Sequence, residues 1–484
     1  MSRLPHRFWL ALVSIAMSAP TALAQQQDQN QSEQPIPAYH SPLAGVNSGA
    51  DDNSAVSDQQ LAPDTQPLAG AQNLSLGVPP VTHSYWQPRA DITGIFDSNP
   101  LSGGTSGGWA AYVTPIGGID LHRVSGNSNL TLTYVGGGTL SNNATVGNSL
   151  IQELGVTEKL SFHRSVLSLF EVLLYTPETS FGYGGIAGIT LPGGGSIGGG
   201  NPFLPGQTIL TVRGQRLSNS SIAQDDIHLT SKSSLTFLGG YSLLHFFDNP
   251  LLDFGNIIFQ GGYNHTLTRE DTIAVLYRFR GYRYSNFNQS IDGNAILVSY
   301  GRRVTGRLAF QAEGGPEVAV SKIPITSEAG GTTTTTTSTT QVYFTLNTSL
   351  IYRLKRTELH LGYDHGLSSG AGVLAGAKLD TVRGTVTRQF SRNFSGSWDM
   401  GYARNSGPLL VVGTQATTIQ NFDYWFTGVQ VSHPLSRTIH LFLRYNLQYQ
   451  TSSASSCTGN TCPINVPRNQ ISLGLAWHGQ PISF

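Results

Sequence analysis

The chain has 484 residues, only 12% of them charged, and its 28 basic and 28 acidic side chains cancel. That balance carries no electrostatic footprint for nucleic acid. Aromatics at 10%, 56 glycines and 3 methionines suit strands and turns rather than helices; a bundle of membrane helices is excluded, because no apolar run beyond the N-terminus reaches roughly 18 residues.

Arg3, His6 and Arg7 open the chain, an apolar run follows from Phe8 to Met17, and Ala22-Leu23-Ala24 precedes Gln25. This layout predicts a secretory signal peptide over 1–24, cleaved after Ala24. The absence of a cysteine just beyond it gives no support to lipid attachment there. Residues 25–83 are rich in Gln, Asn, Asp, Ser and Pro and show no apolar period. Such a stretch buries too little apolar surface to offset its ordering entropy. It is predicted to be a disordered polar periplasmic extension: a spacer, or a tether to a periplasmic partner.

From 84 to 484 the pattern changes to alternation broken by turn residues. Matching a period of two gives about eighteen strands, with sixteen as the other count. They fall near 86–96, 109–122, 129–140, 149–163, 165–176, 222–230, 234–245, 255–265 and 271–284. The second half continues near 290–302, 305–320, 341–354, 357–367, 377–390, 393–404, 420–432, 438–449 and 469–477. Several run to twelve residues or so, where globular strands have about five or six. A tilted strand crossing a bilayer needs about nine to eleven.

Short turns, such as Ser125-Gly126-Asn127-Ser128 and Ser391-Arg392, alternate with long polar connections, such as 97–108, 177–221, 321–340 and 451–468. Bacterial outer-membrane barrels have short periplasmic turns and longer outside loops. The glycine-rich 184–200 is predicted to be an outside loop, or one folded into the lumen as a constriction. Thr332–Thr340 is predicted to be a low-complexity loop tip. The expected fold is therefore all-β: a single up-and-down antiparallel transmembrane β-barrel over 84–484.

The two faces of these strands differ in chemistry. Ile439, Leu441, Leu443, Tyr445, Leu447 and Tyr449 oppose His440, Arg444, Asn446, Gln448 and Gln450. Ile273, Val275, Tyr277 and Phe279 oppose Arg278 and Arg280, and Phe394, Trp398 and Met400 oppose Ser395, Ser397 and Asp399. A Lys or Arg facing lipid at the midplane costs about 2–4 kcal/mol. The charged rows are therefore assigned to the lumen, giving Arg278, Arg280, Arg307, Glu313, Glu358, Asp399, His440 and Arg444 as candidate lumen-lining residues. They either cross-link and solvate the wall or line a solute path. Trp86, Trp109, Tyr363, Trp398, Trp425, Tyr445 and Trp477 suit interfacial aromatic girdles. Cys457 and Cys462 lie in a polar connection of an exported chain and are a candidate disulfide.

At the C-terminus, Ile471, Leu473, Leu475 and Trp477 keep one phase and Ile482 and Phe484 fall in the other. Gly479 and Pro481 between them mark a bulge or the start of an exit tail. Gly479, Ile482 and Phe484 resemble the insertion signal of Gram-negative outer-membrane β-barrels, with Trp477 standing where that signal usually has a polar residue. The resemblance implies outer-membrane lipid as the surroundings and the barrel-assembly machinery as a partner of the C-terminus. The run Asp91-Ile92-Thr93-Gly94-Ile95-Phe96-Asp97-Ser98-Asn99-Pro100 resembles the opening strand of the poorly characterised barrels found beside exopolysaccharide-export systems.

No nucleophile–base pair, zinc-ligand spacing or Gly-x-Ser-x-Gly elbow is present, so neither an enzyme nor a cofactor is expected. The expected function is a pore for small polar solutes, or a barrel linked to polysaccharide export. The alternative is a non-conducting structural, surface or secretion-associated barrel acting through its loops and its N-terminal tether.

Overall fold

The computed structural model describes residues 67–71, 83–100, 108–143, 146–177, 190–191, 195–196, 209, 213–247, 253–285, 289–305, 307–327, 333–370, 374–407, 411–412, 415–416, 421–453 and 466–484. All belong to the compact unit Ala38–Phe484. The expected signal peptide, most of the expected extension, and Cys457 and Cys462 lie outside the described residues.

Eighteen long strands carry the fold. They are β1 (Tyr85–Asp97), β2 (Ala110–Ser125), β3 (Ser128–Thr139), β4 (Ser149–Ser161), β5 (Ser165–Thr176), β6 (Arg216–His228), β7 (Ser233–Phe246), β8 (Phe254–Thr266) and β9 (Asp271–Tyr284). The ring continues with β10 (Gln289–Thr305), β11 (Leu308–Ser327), β12 (Thr333–Arg353), β13 (Thr357–Ser368), β14 (Ala377–Ser391), β15 (Phe394–Ser406), β16 (Asn421–Pro434), β17 (Ile439–Ser452) and β18 (Val466–His478). Each pairs antiparallel with its neighbours in sequence, and β1 pairs with both β2 and β18, which closes the sheet into a barrel with no free edge. Among the described residues there is no helix.

Alternation explains both the strands and their facing. On β17, Ile439, Leu443, Tyr445 and Tyr449 are exposed to the outside, whereas Phe442, Arg444, Asn446, Gln448 and Gln450 are buried on the inside. The arrangement inverts that of a soluble protein. Large apolar side chains such as Ile296, Leu473 and Val275 are more than half exposed, while Gln450, Gln430 and Glu317 are wholly buried. Such an exterior is stable only against hydrocarbon.

β9 shows the height of the apolar band. Its outward row reads Asp271, Ile273, Val275, Tyr277, Phe279, Gly281, Arg283. Asp271 meets Arg302 at 3.6 Å, and Arg283 meets Asp292 at 2.6 Å. Twelve residues separate these charged rims, roughly 40 Å along the strand and roughly 30 Å along the axis at a tilt near 40°. That is a bilayer's hydrocarbon thickness. Trp86 and Trp477 stand near the short-turn rim and Trp109 and Trp425 toward the loop rim, but Tyr445 sits mid-strand, where a girdle does not reach. Leu443→Lys, on the outward row between the rims, is expected to cost about 2–4 kcal/mol, read as a lowered urea midpoint in lipid vesicles.

The connection expected over 321–340 is mostly strand, with β11 running on to Ser327 and β12 starting at Thr333, and at the C-terminus one of the two expected alternatives holds. Residues 333–340, expected to be a loop tip, form the first part of β12 and pair with β11 from Ser327↔Thr333 to Val320↔Thr340. Threonine is β-branched and favours strands wherever a partner lies alongside. The C-terminal phase change is a bulge. β18 meets β1 with Arg89↔His478, whereas the next pair is Trp86↔Ile482, one residue out of register. Gly479 donates to the Pro88 carbonyl at 2.8 Å, and a Cβ there would lie 2.7 Å from Pro88 Cγ. A one-residue slip turns the following side chains to the other face. It therefore sets Ile482 beside the outward Trp86, leaving both Ile482 and Phe484 exposed.

Candidate functional site in the barrel lumen

The inward rows of β8 to β13 form the most connected part of the wall. Arg278 on β9 donates through Nη2 to Glu313 on β11 at 2.8 Å and through Nε to Gln260 on β8 at 2.5 Å. Arg280 donates to Glu317 at 2.5 Å and to the Leu367 carbonyl of β13 at 3.0 Å, and Thr345 on β12 donates to Glu317 at 2.6 Å. Both ion pairs pass over β10, whose residues opposite the arginines are Ala295 and Gly293. A Cβ on Gly293 would lie 2.6 Å from Glu317 Oε1, so the bridge needs a residue with no side chain beneath it. Gly293→Val is expected to cost about 1–3 kcal/mol through overpacking, measured by chemical denaturation of the folded barrel.

The other candidate residues are distributed around the ring. Asp399 accepts two bonds from Arg383, at 3.1 and 2.7 Å, and a third from Thr385. Arg444 donates to Gln430 at 2.9 and 2.7 Å. Glu358 pairs with Arg353 at 3.2 Å near the short-turn rim, and the His440 ring lies 5.9 Å from that of His478. Arg307 departs from its expected place. It lies exposed in the turn between β10 and β11, because the strand period that aligned it with Gln311 and Glu313 stops at Leu308.

Glu317, Arg383, Asp97 and Arg468 are not among the candidate residues of the sequence. Asp97 and Arg468 form a buried pair at 2.5 Å across the closing seam, with side chains 0% and 3% exposed. Gln470 and Tyr112 also donate to Asp97, at 2.9 and 3.3 Å. Glu317 shares the parity of Glu313, and Arg468 that of Gln470 and Ser472, so the alternation contained both.

Three segments enter the lumen. Pro67–Ala71, within the stretch expected to lack structure, is seated against the inner wall, with Leu68 and Ala69 2% and 0% exposed. At the loop end, Ile209 of the connection between β5 and β6 packs with Leu374, Ala377 and Phe422. β14 stands nine places from β5 in an eighteen-strand ring, so Ile209 lies against the far wall; most of the glycine-rich 184–200, expected to be an outside loop or a constriction, lies outside the described residues. The turn after β13 also folds inward: Tyr284 donates to the Ser369 carbonyl at 2.9 Å and Gln289 to that of Ala375 at 3.3 Å. Among the described residues no group of three His, Cys, Asp or Glu side chains could hold a metal ion.

A closed antiparallel barrel, apolar outside and polar within, defines a transmembrane β-barrel of the outer-membrane type. No protein-family model matches the chain. No curated protein matches it in sequence. Among solved structures it is similar to Pseudomonas aeruginosa OccK2 (OpdF), with 11% identity, a TM-score of 0.42, and coverage of 82% of this chain and 97% of that one. It is also similar to Pseudomonas aeruginosa OpdQ (11% identity, TM-score 0.39, 83% and 100% covered) and Acinetobacter baumannii OccAB3 (9% identity, TM-score 0.40, 82% and 100% covered).

Proposed function

We propose that the chain is an outer-membrane pore for small polar solutes. The observation that carries this reading is the inverted wall: charged and amide side chains on the inner rows, lipid-compatible side chains on the outer. Barrels of sixteen to eighteen strands are wide enough to leave an aqueous channel. The paired charges offer a passing solute alternating donors and acceptors without a net field of one sign. A second reading, a sealed barrel acting through its loops, draws on Ile209, which packs against Phe422. The resemblance to polysaccharide-export barrels rests on residues 91–100, whose Asp97 is engaged in the closing seam.

The test is swelling of liposomes loaded with a small neutral sugar. It uses the full chain and a variant with residues 67–71 replaced by Gly-Ser-Gly-Ser-Gly. Uptake above that of protein-free liposomes is expected. A folded barrel that admits solute in neither form ends the pore reading in favour of the sealed one.

A further inference from the structure

The inner wall holds Pro67–Ala71 by a set of contacts built for a peptide. Ala69 donates its backbone N–H to Asn264 Oδ1 at 2.9 Å and accepts from Gln260 Nε2 at 2.6 Å, so one wall strand satisfies both of its backbone groups. Ala71 donates to Gln224 Oε1 at 2.7 Å. These amides are themselves held: Gln224 donates to Asp226 at 2.8 Å, Thr236 donates to Asp226 at 2.8 Å, and Asn264 donates to Thr236 at 3.0 Å. Gln260 in turn accepts from Arg278, which ties the seat to the Arg278–Glu313 pair.

The wall is also shaped for its occupant. Gly262 lies on the inward row of β8 between Gln260 and Asn264, and a Cβ there would stand 2.5 Å from the Ala69 methyl. A Cβ on Gly70 would stand 2.7 Å from Gln224 Nε2. Leu68 and Ala69 join a cluster with Ala274, Leu276, Ala295, Leu297, Ala309 and Ile351. That cluster is one of several apolar patches among the polar inward rows, and Ala71 packs against another, formed by Phe170, Ile222, Leu238 and Ile258. The cluster around Leu68 lies toward the short-turn end, since Ala309 and Ile351 are within two residues of the strand ends there.

We infer that Pro67–Ala71 is a resident plug of this lumen, and that its release from the seat formed by Gln224, Gln260, Gly262 and Asn264 opens the solute path. The inference rests on the pore reading and adds its regulation. The segment precedes β1 by only a short stretch of chain, so it stays tethered when it leaves. Its effective concentration at the seat is therefore high. The seat grips main-chain groups and small side chains, with Leu68 the one bulky anchor. Nothing charged has to be desolvated for the segment to leave or return.

Two variants alter the segment and leave the wall intact: Leu68→Asp, and replacement of 67–71 by Gly-Ser-Gly-Ser-Gly. In planar bilayers in potassium chloride, the wild-type chain is expected to give low conductance with brief openings, and both variants a several-fold higher mean current. A second readout does not depend on conduction. Leu68→Cys, with Cys457 and Cys462 replaced by serine, is expected to react with a membrane-impermeant maleimide far more slowly in the folded barrel than in urea. Equal reactivity in the two states overturns the seat. Slow labelling with conductance equal in wild type and variants overturns the gating while the pore stands. Slow labelling with no conductance from any form overturns both, because an empty seat then leaves the barrel closed.

Discussion

Asp97→Ala is expected to lower barrel stability by about 3–5 kcal/mol, the usual result of leaving one member of a buried ion pair without the other. Asp97 ends β1, the strand that joins the two ends of the ring, and Arg468 lies near the start of β18 across the seam. Arg468 Nε adds bonds at 3.1 and 2.9 Å, and the Asn99 N–H donates to Oδ1 at 3.0 Å. Removing the carboxylate thus takes one shared acceptor from a guanidinium and three neutral donors at once. Replacing the pair together, as Asp97→Leu with Arg468→Met, is expected to recover most of the loss, because two apolar groups leave no uncompensated charge. Urea unfolding in lipid vesicles provides the comparison. A single variant within 1 kcal/mol of wild type, the scale of a solvent-exposed pair, would show that water reaches this seam. The seam is a sensitive place for such a loss, because a barrel opened there exposes two unpaired strand edges to hydrocarbon.

The barrel was legible in the sequence because its rule is local. A period of two assigns each side chain to lipid or lumen without knowledge of its partner. That is why Arg278, Arg280, Glu313, Asp399 and Arg444 could be placed on inward rows from spacing alone. The partners were harder to read, since a charge bridge that skips a strand depends on register. Arg280 reaches Glu317 only because Gly293 and Ala295 lie between them on β10, and nothing in β9 read alone shows what stands two strands away. The rule also fails at strand ends. Arg307 kept the parity of its neighbours but belongs to the turn, and the threonines of 333–340 carry strand propensity without the apolar alternation that marks a lipid face. Pro67–Ala71 was not legible at all. Five residues with one leucine in a polar stretch give no period, and what orders them is a set of amides, on Gln224, Gln260 and Asn264, that lie 153 to 195 residues further along the chain.

Arg280→Met is the second large effect, again expected to cost about 3–5 kcal/mol because Glu317 stays behind in a buried site. The side chains are 5% and 1% exposed. Without the arginine, Glu317 retains the Thr345 hydroxyl, and the Leu367 carbonyl loses its donor. The same substitution changes the lumen's field, which separates it from a purely structural lesion. The wild-type pair is neutral as a unit. Arg280→Met leaves a carboxylate and is expected to shift reversal potential toward cation preference, and Glu317→Gln leaves a guanidinium and is expected to shift it toward anions. The double variant should return selectivity close to wild type and regain part of the lost stability, since neither charge is then stranded. Selectivity that ignores all three substitutions, in protein that still conducts, would place the ions' route away from β9 and β11. The remaining inward charges, among them Arg383 with Asp399 on β14 and β15, would then be the wall that a solute meets.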